Sequence, residues 1–277
     1  MGAVSFPGVD IRMLFPLFLG IEGIMKNLKA SFLAYPLLFL ALILFLPSPG
    51  RASACWFADL ETGMVFSILN DVRIPGDTGT DLSLTNDLET PPDYFFRLRA
   101  GVTLAGRHHI FLLFAPLRLK AKGTLDHDLN FSGETFPAQT PLRADYRFDS
   151  YRLTYRYDFF RSERWELGAG LTAKIRDAAI SLDGPVFREK PNTGFVPLIN
   201  FSARWKFQKD WSLLLEGDAL AAPQGRAEDI LLALTFRLNE SVEARLGYRL
   251  LEGGADNPEV YTFALINYAV LGLTASF

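Results

Sequence analysis

The chain has 277 residues, 49% hydrophobic and 21% charged, with a formal net charge of −3. That balance excludes an intrinsically disordered chain, which needs few apolar residues and much charge. One cysteine and three histidines exclude a disulfide scaffold and leave little material for a metal centre.

The first element is a targeting segment. Residues 37–46 form an unbroken apolar run, preceded by Lys26 and Lys29 and followed by Pro47, Pro49 and the small-x-small triplet Ala52-Ser53-Ala54. This is the layout of a secretory signal peptide. Met25 is its natural start, and residues 1–24 read as an upstream extension or a long leader. The run is too short for a spanning helix of about 20 residues; extended back to Phe32 it leaves an uncleaved anchor open. Residues 1–54 are therefore assigned to an extension plus signal peptide and 55–277 to the mature domain. A cut after Ala54 makes Cys55 the first residue, either a free thiol or a lipidated one; Ala52 stands where a lipoprotein signal usually has Leu. The leader carries four bases and two acids, so the remainder has a net charge of −5. That argues against a general nucleic-acid binder.

The remaining elements alternate with period two. In 150–159, Ser150, Arg152, Thr154, Arg156 and Asp158 share one face, and Tyr151, Leu153, Tyr155, Tyr157 and Phe159 the other. Residues 165–176, 198–207 and 241–250 separate in the same way. Ten strands are expected at about 60–74, 94–105, 109–123, 145–160, 164–182, 195–207, 211–222, 228–238, 241–252 and 259–277. Long gaps at 75–93, 124–144 and 183–194, and moderate ones at 223–227 and 253–258, alternate with connections of two or three residues. Long outer loops and tight periplasmic turns are the pattern of a transmembrane barrel.

The C-terminus, Gly272-Leu-Thr-Ala-Ser-Phe277, looks like the Gly-x-x-apolar-x-Phe assembly signal of bacterial outer-membrane barrels, although Ala275 is a weak apolar residue and Leu271 stands where that signal prefers a polar one. The chain thus resembles the small Gram-negative outer-membrane β-barrels. More specifically it resembles a set of such barrels with stretches like Asp71–Thr80, Tyr151–Tyr157 and Asp218–Arg226, over most of residues 57–277. The resemblance implies an all-β fold: a closed, antiparallel, up-and-down transmembrane barrel of about ten strands, within roughly eight to twelve. It implies outer-membrane location, contact with lipid and lipopolysaccharide, and assembly by the barrel machinery through the last strand, anchored by Gly272 and Phe277. It implies no activity.

Turning every polar face inward places fifteen bases in the lumen: Arg73, Arg97, Arg99, Arg118, Lys120, Lys122, Arg152, Arg156, Lys174, Arg176, Arg204, Lys206, Arg237, Arg245 and Arg249. Eight acids join them: Glu61, Asp71, Asp158, Glu166, Glu216, Asp218, Asp229 and Glu243. Two readings follow. Paired side chains plug the lumen of a structural or surface-interaction protein, or seven unmatched bases line a narrow anion-favouring channel or small-solute porin. A third reading is a lipid- or peptide-modifying enzyme. Its sole candidate on a predicted outer loop is His127 between Asp126 and Asp128, which reads more simply as a polar turn, so no catalytic residue is assigned. His108 and His109 read as turn surface. Trp165, Trp205, Trp211, Tyr151, Tyr155 and Tyr157 suit the aromatic girdles at a membrane interface. Inward Gly168 and Gly170 either make room for a crossing side chain or mark a bend. No phosphate loop, dinucleotide fingerprint or metal-ligand spacing occurs, so no cofactor or metal is expected.

Overall fold

A computed structural model describes residues 54–222 and 225–277. The expected extension and signal segment lies outside the described residues, apart from Ala54. The elements are all strands: β1 (Ala54–Arg73), β2 (Leu82–Ser83), β3 (Asp93–Leu104), β4 (His108–Ala115), β5 (Arg118–Thr124), β6 (Leu129–Phe131), β7 (Glu134–Phe136), β8 (Pro141–Arg161), β9 (Trp165–Asp183), β10 (Phe187–Lys206), β11 (Trp211–Ala222), β12 (Gly225–Arg237), β13 (Val242–Asn257) and β14 (Val260–Ser276). Neighbours in sequence pair antiparallel around the sheet, with β4 and then β5 pairing along β8 as one interrupted stave. The last strand pairs with the first, from Phe57↔Ser276 to Arg73↔Tyr261, and closes a ten-stranded barrel. Closure leaves no sheet edge through this region, as a bilayer demands. Phe277 completes the seam: its N–H donates to the Trp56 carbonyl at 2.9 Å, and Trp56 N–H donates back at 2.8 Å.

The ten expected strands are all present, but the connections differ. The loop expected at 183–194 is instead a hairpin, with β9 and β10 running on to residues 183 and 187 around a three-residue turn. Pro191, Asn192 and Gly194 read as loop signals in the sequence. A strand that is not laddered on both sides tolerates proline, and β11 pairs only with Ile199–Lys206 of β10. The connection expected at 253–258 shrinks to residues 258–259. The two longest connections are compact. Residues 74–92 carry β2, 125–140 carry the β6–β7 hairpin, and the two are joined by Ser132 N–H to Ile74 O at 2.8 Å and Thr80 N–H to Asn130 O at 3.0 Å.

The faces of the wall change character along the axis, and β8 records the change in one element. Toward the short-turn end, Leu153, Tyr155 and Tyr157 face out and are exposed, while Arg152 and Thr154 face in and are buried. Toward the long-loop end the polarity reverses: Arg143 and Asp145 are exposed, while Leu142, Ala144 and Tyr146 are buried. The crossover lies near Ser150. The exposed apolar belt continues round the barrel through Leu60, Leu98, Leu171, Ile199, Leu215, Leu232, Leu246 and Leu271. Beyond it, the outer extension of the wall follows the ordinary rule of apolar inside and polar outside.

Candidate functional site

The interior of the barrel divides into two zones. The zone nearer the short turns is ionic. Glu61 on β1 receives Arg249 at 2.8 Å and Arg245 at 2.9 Å, both from β13, and Arg97 of β3 at 3.3 Å. Asp229 on β12 receives Arg249 at 2.5 Å, Arg152 of β8 at 2.6 Å and Arg97 at 3.0 Å. Arg97 and Arg152 thus reach from one wall to an aspartate on another, and Arg152 also grips Asp218 at 2.7 Å. The second oxygen of Asp218 accepts from Thr172 at 2.6 Å and Asn200 at 2.8 Å. Arg245 forks onto Asp59 at 2.6 and 2.7 Å. Arg99 bonds Glu216 at 2.9 Å. Planar guanidinium forks suit such multi-carboxylate bridging, because each offers five donors in fixed directions. Near the short-turn rim, Arg204 forks onto Glu243 at 2.7 and 3.0 Å, and Glu166 receives Lys206 at 2.5 Å and Arg161 at 2.9 Å.

Two inward glycines make this packing possible. A Cβ on Gly168 would lie 2.6 Å from the Asp158 carboxylate, and one on Gly272 would lie 2.5 Å from Arg245 Nε. Gly168 therefore makes room for a charged side chain, and Gly272 has an interior packing role alongside its place in the terminal motif.

The second zone is apolar and lies toward the long loops. Val65, Val72, Leu119, Leu142 and Leu182 of the wall pack against Ile74, Leu82, Leu84, Leu129, Phe131 and Phe136 of the two long connections. Each of these is at most 2% exposed, so the connections form a lid with a core of its own.

Two interior cavities are small. A cavity of about 30 Å³ lies in the ionic zone among Glu61, Arg97, Arg99, Glu216, Asp218 and Asp229. A second, of about 10 Å³, lies between the zones. A single water needs roughly 10–15 Å³ on this measure.

Seventeen of the twenty-three residues assigned inward from sequence face the interior or its rim: Arg97, Arg99, Arg152, Arg156, Lys174, Arg176, Arg204, Lys206, Arg245, Arg249, Glu61, Asp158, Glu166, Glu216, Asp218, Asp229 and Glu243. Six do not. Arg118 lies on the outer face, where its Nη2 donates to Asp149 at 2.8 Å, and Lys120 is exposed beside it. Lys122 is exposed on the same face. On this stave the inward positions are Leu117, Leu119 and Ala121, because it has already passed into the apolar zone. Arg73 and Asp71 also face out. A register shift between Ser67 and Leu69 exchanges the faces of β1, so Asn70, Val72 and Ile74 are the buried set. Arg237 is exposed at the rim. Asp59, 4% exposed, is an interior acid that sequence reasoning missed. The expected strand began one residue too late, although the Asp59, Glu61 alternation was present.

His109 is not turn surface. It faces inward, its Nδ1 2.9 Å from Thr103 Oγ1 and its Nε2 2.9 Å from Asp158 Oδ2, a hydroxyl–imidazole–carboxylate row that staples β3, β4 and β8. His108 faces out against Tyr155 and Tyr157. His127 bonds its neighbour Asp126 at 2.8 Å in an exposed turn, and Asp128 accepts from the Ala138 N–H at 2.8 Å. The His127 bond holds the Asp126 carboxyl below its usual range.

Of the girdle aromatics, Trp165 stacks on Trp205 at 5.9 Å, and Trp211 meets Phe236 at 4.6 Å, close to the short turns. Tyr151 packs on Phe114 at 5.3 Å near the polarity crossover. Tyr155 and Tyr157 belong to the short-turn end.

No protein-family model and no curated protein matches the chain. Among solved structures, the outer membrane protease OmpT of Escherichia coli superposes with a TM-score of 0.53 at 9% identity, covering 84% of this chain and 99% of that one. That likeness identifies the fold as the small outer-membrane β-barrel. Looser likenesses include the transport unit of the autotransporter AIDA-I of Escherichia coli (TM-score 0.43, 10% identity, 87% and 96% covered). The attachment invasion locus protein Ail of Yersinia pestis is another (TM-score 0.35, 10% identity, 80% and 98% covered).

Proposed function

We propose that this chain is an integral outer-membrane barrel of a Gram-negative bacterium whose lumen is closed by its own side chains, serving a structural or surface-interaction role. The observation that carries this reading is the ionic network from Asp59 to Arg249, which crosses the lumen around a cavity of about 30 Å³, with an apolar lid above it. The short turns face the periplasm and the lidded end faces outward. Lipid and lipopolysaccharide cover the exposed belt. The last strand, with Gly272 and Phe277, serves as the signal read by the assembly machinery.

The channel reading rested on a large excess of unmatched bases. Removing Arg73, Arg118, Lys120, Lys122, Arg237 and Asp71 from the interior and adding Asp59 reduces that excess to two residues. Planar-bilayer recording of the refolded protein at high salt tests the proposal. A closed lumen gives no single-channel steps, whereas regular anion-selective steps would overturn it and reinstate the channel.

A further inference from the structure

Among the described residues, two interior cations lack a carboxylate within ion-pair reach, Lys174 and Arg176, and they are neighbours on one face of β9. Arg176 donates to Asn192, and Lys174 lies 4.7 Å from the centroid of the Phe148 ring. Lys174 is 2% exposed. A buried ammonium without a counter-charge is costly, and a ring face compensates only part of that cost.

Phe148 is also a wall of the second cavity. The other polar walls are Ser150, Arg97, Arg152 and Tyr268, and no carboxylate lines it. Ser150 and Tyr268 are 2% and 3% exposed, and neither hydroxyl has a hydrogen-bond partner among the described residues. Register places Arg152 opposite Lys174 and Ser150 opposite Arg176, so the excess charge sits beside this void. A water-sized space, two unused hydroxyl donors, cations on several sides and no acid in the wall form a complementary setting for a monovalent anion.

We propose that this void is a binding site for one halide ion in place of the water it has room for, the long side chains of Arg97 and Arg152 giving the extra room. The ion is held by the Ser150 and Tyr268 hydroxyls within the field of Arg97, Arg152 and Lys174. The bound anion balances the interior charge where the ionic zone meets the apolar lid. It is a resident ion and does not require a conducting path, so it stands whether or not the barrel conducts.

Two measurements test it. Crystals of the full chain in detergent, grown with sodium bromide, should show an anomalous peak within hydrogen-bond reach of Ser150 Oγ. Lys174→Met should lose that peak. In parallel, the unfolding midpoint at constant ionic strength should rise as gluconate is replaced by chloride, by the mass-action effect of a ligand that binds only the folded state. The rise should vanish in Lys174→Met and shrink in Ser150→Ala. Constant ionic strength separates site binding from general screening. A bromide-soaked crystal showing only water in the void, or wild-type stability indifferent to the choice of anion, would overturn the proposal.

Discussion

The two halves of the barrel solve opposite solvation problems with the same alternating strand. Near the short turns, the outward set along β8 is Leu153, Tyr155 and Tyr157, and the inward set is charged. Beyond Ser150 the outward set is Arg143, Asp145 and Arg147, and the inward set is Leu142, Ala144 and Tyr146. One half is built to face hydrocarbon and fill its centre with ion pairs. The other is a small water-facing β-domain that closes over an apolar core. Since a strand fixes only that its two faces differ, the surroundings decide which face turns inward.

The largest expected effect that sharpens this contrast is in the ionic half. Asp229→Ala removes the carboxylate shared by Arg97, Arg152 and Arg249 and strands buried cations. A loss of about 3–5 kcal/mol is expected from breaking such buried pairs, read from urea unfolding in lipid vesicles. A loss below about 1 kcal/mol would mean that the network is hydrated and the lumen open, since exposed pairs contribute no more than that.

Next is the outer face of the same half. Leu171→Arg places a cation within the exposed belt, and about 2–4 kcal/mol of destabilisation is expected at bilayer mid-depth. The same assay in detergent should show a smaller change.

The smallest effect belongs to the other half. Lys120→Ala, on the outer face beyond the crossover, should stay within about 0.5 kcal/mol, as surface substitutions do. Had Lys120 pointed into the lumen, as its polarity alone suggested, the change would be much larger.

The barrel, its ten strands and the interior of the lipid-facing half were legible in the sequence, because period-two separation of apolar and polar residues is a strong local signal. Arg152, Arg156, Lys174 and Arg245 fell where that rule put them. The same rule failed for Arg118, Lys120 and Lys122, since alternation carries no sign: it shows two faces, not which is inside. Asp71 and Arg73 failed for a different reason, a one-residue irregularity at Ser67 to Leu69 that turns the strand over. The apolar lid was hidden because Leu82, Leu84, Leu129, Phe131 and Phe136 lie among turn-forming residues, and their common core depends on contacts between distant connections. The Thr103–His109–Asp158 row was equally non-local, spanning three strands.

The reversal of the wall near Ser150 can be measured directly. In a Cys55→Ser background, single cysteines at positions 143, 145, 153 and 155 of β8 are spin-labelled, and the protein is refolded into bilayers. Collision with oxygen, which concentrates in lipid, is compared with collision with a water-soluble nickel chelate. Positions 153 and 155 should favour oxygen and positions 143 and 145 the chelate, with the change falling between 145 and 153. Chelate access at 153, or lipid access at 143 and 145, would contradict a barrel that turns its polarity inside out along its own axis.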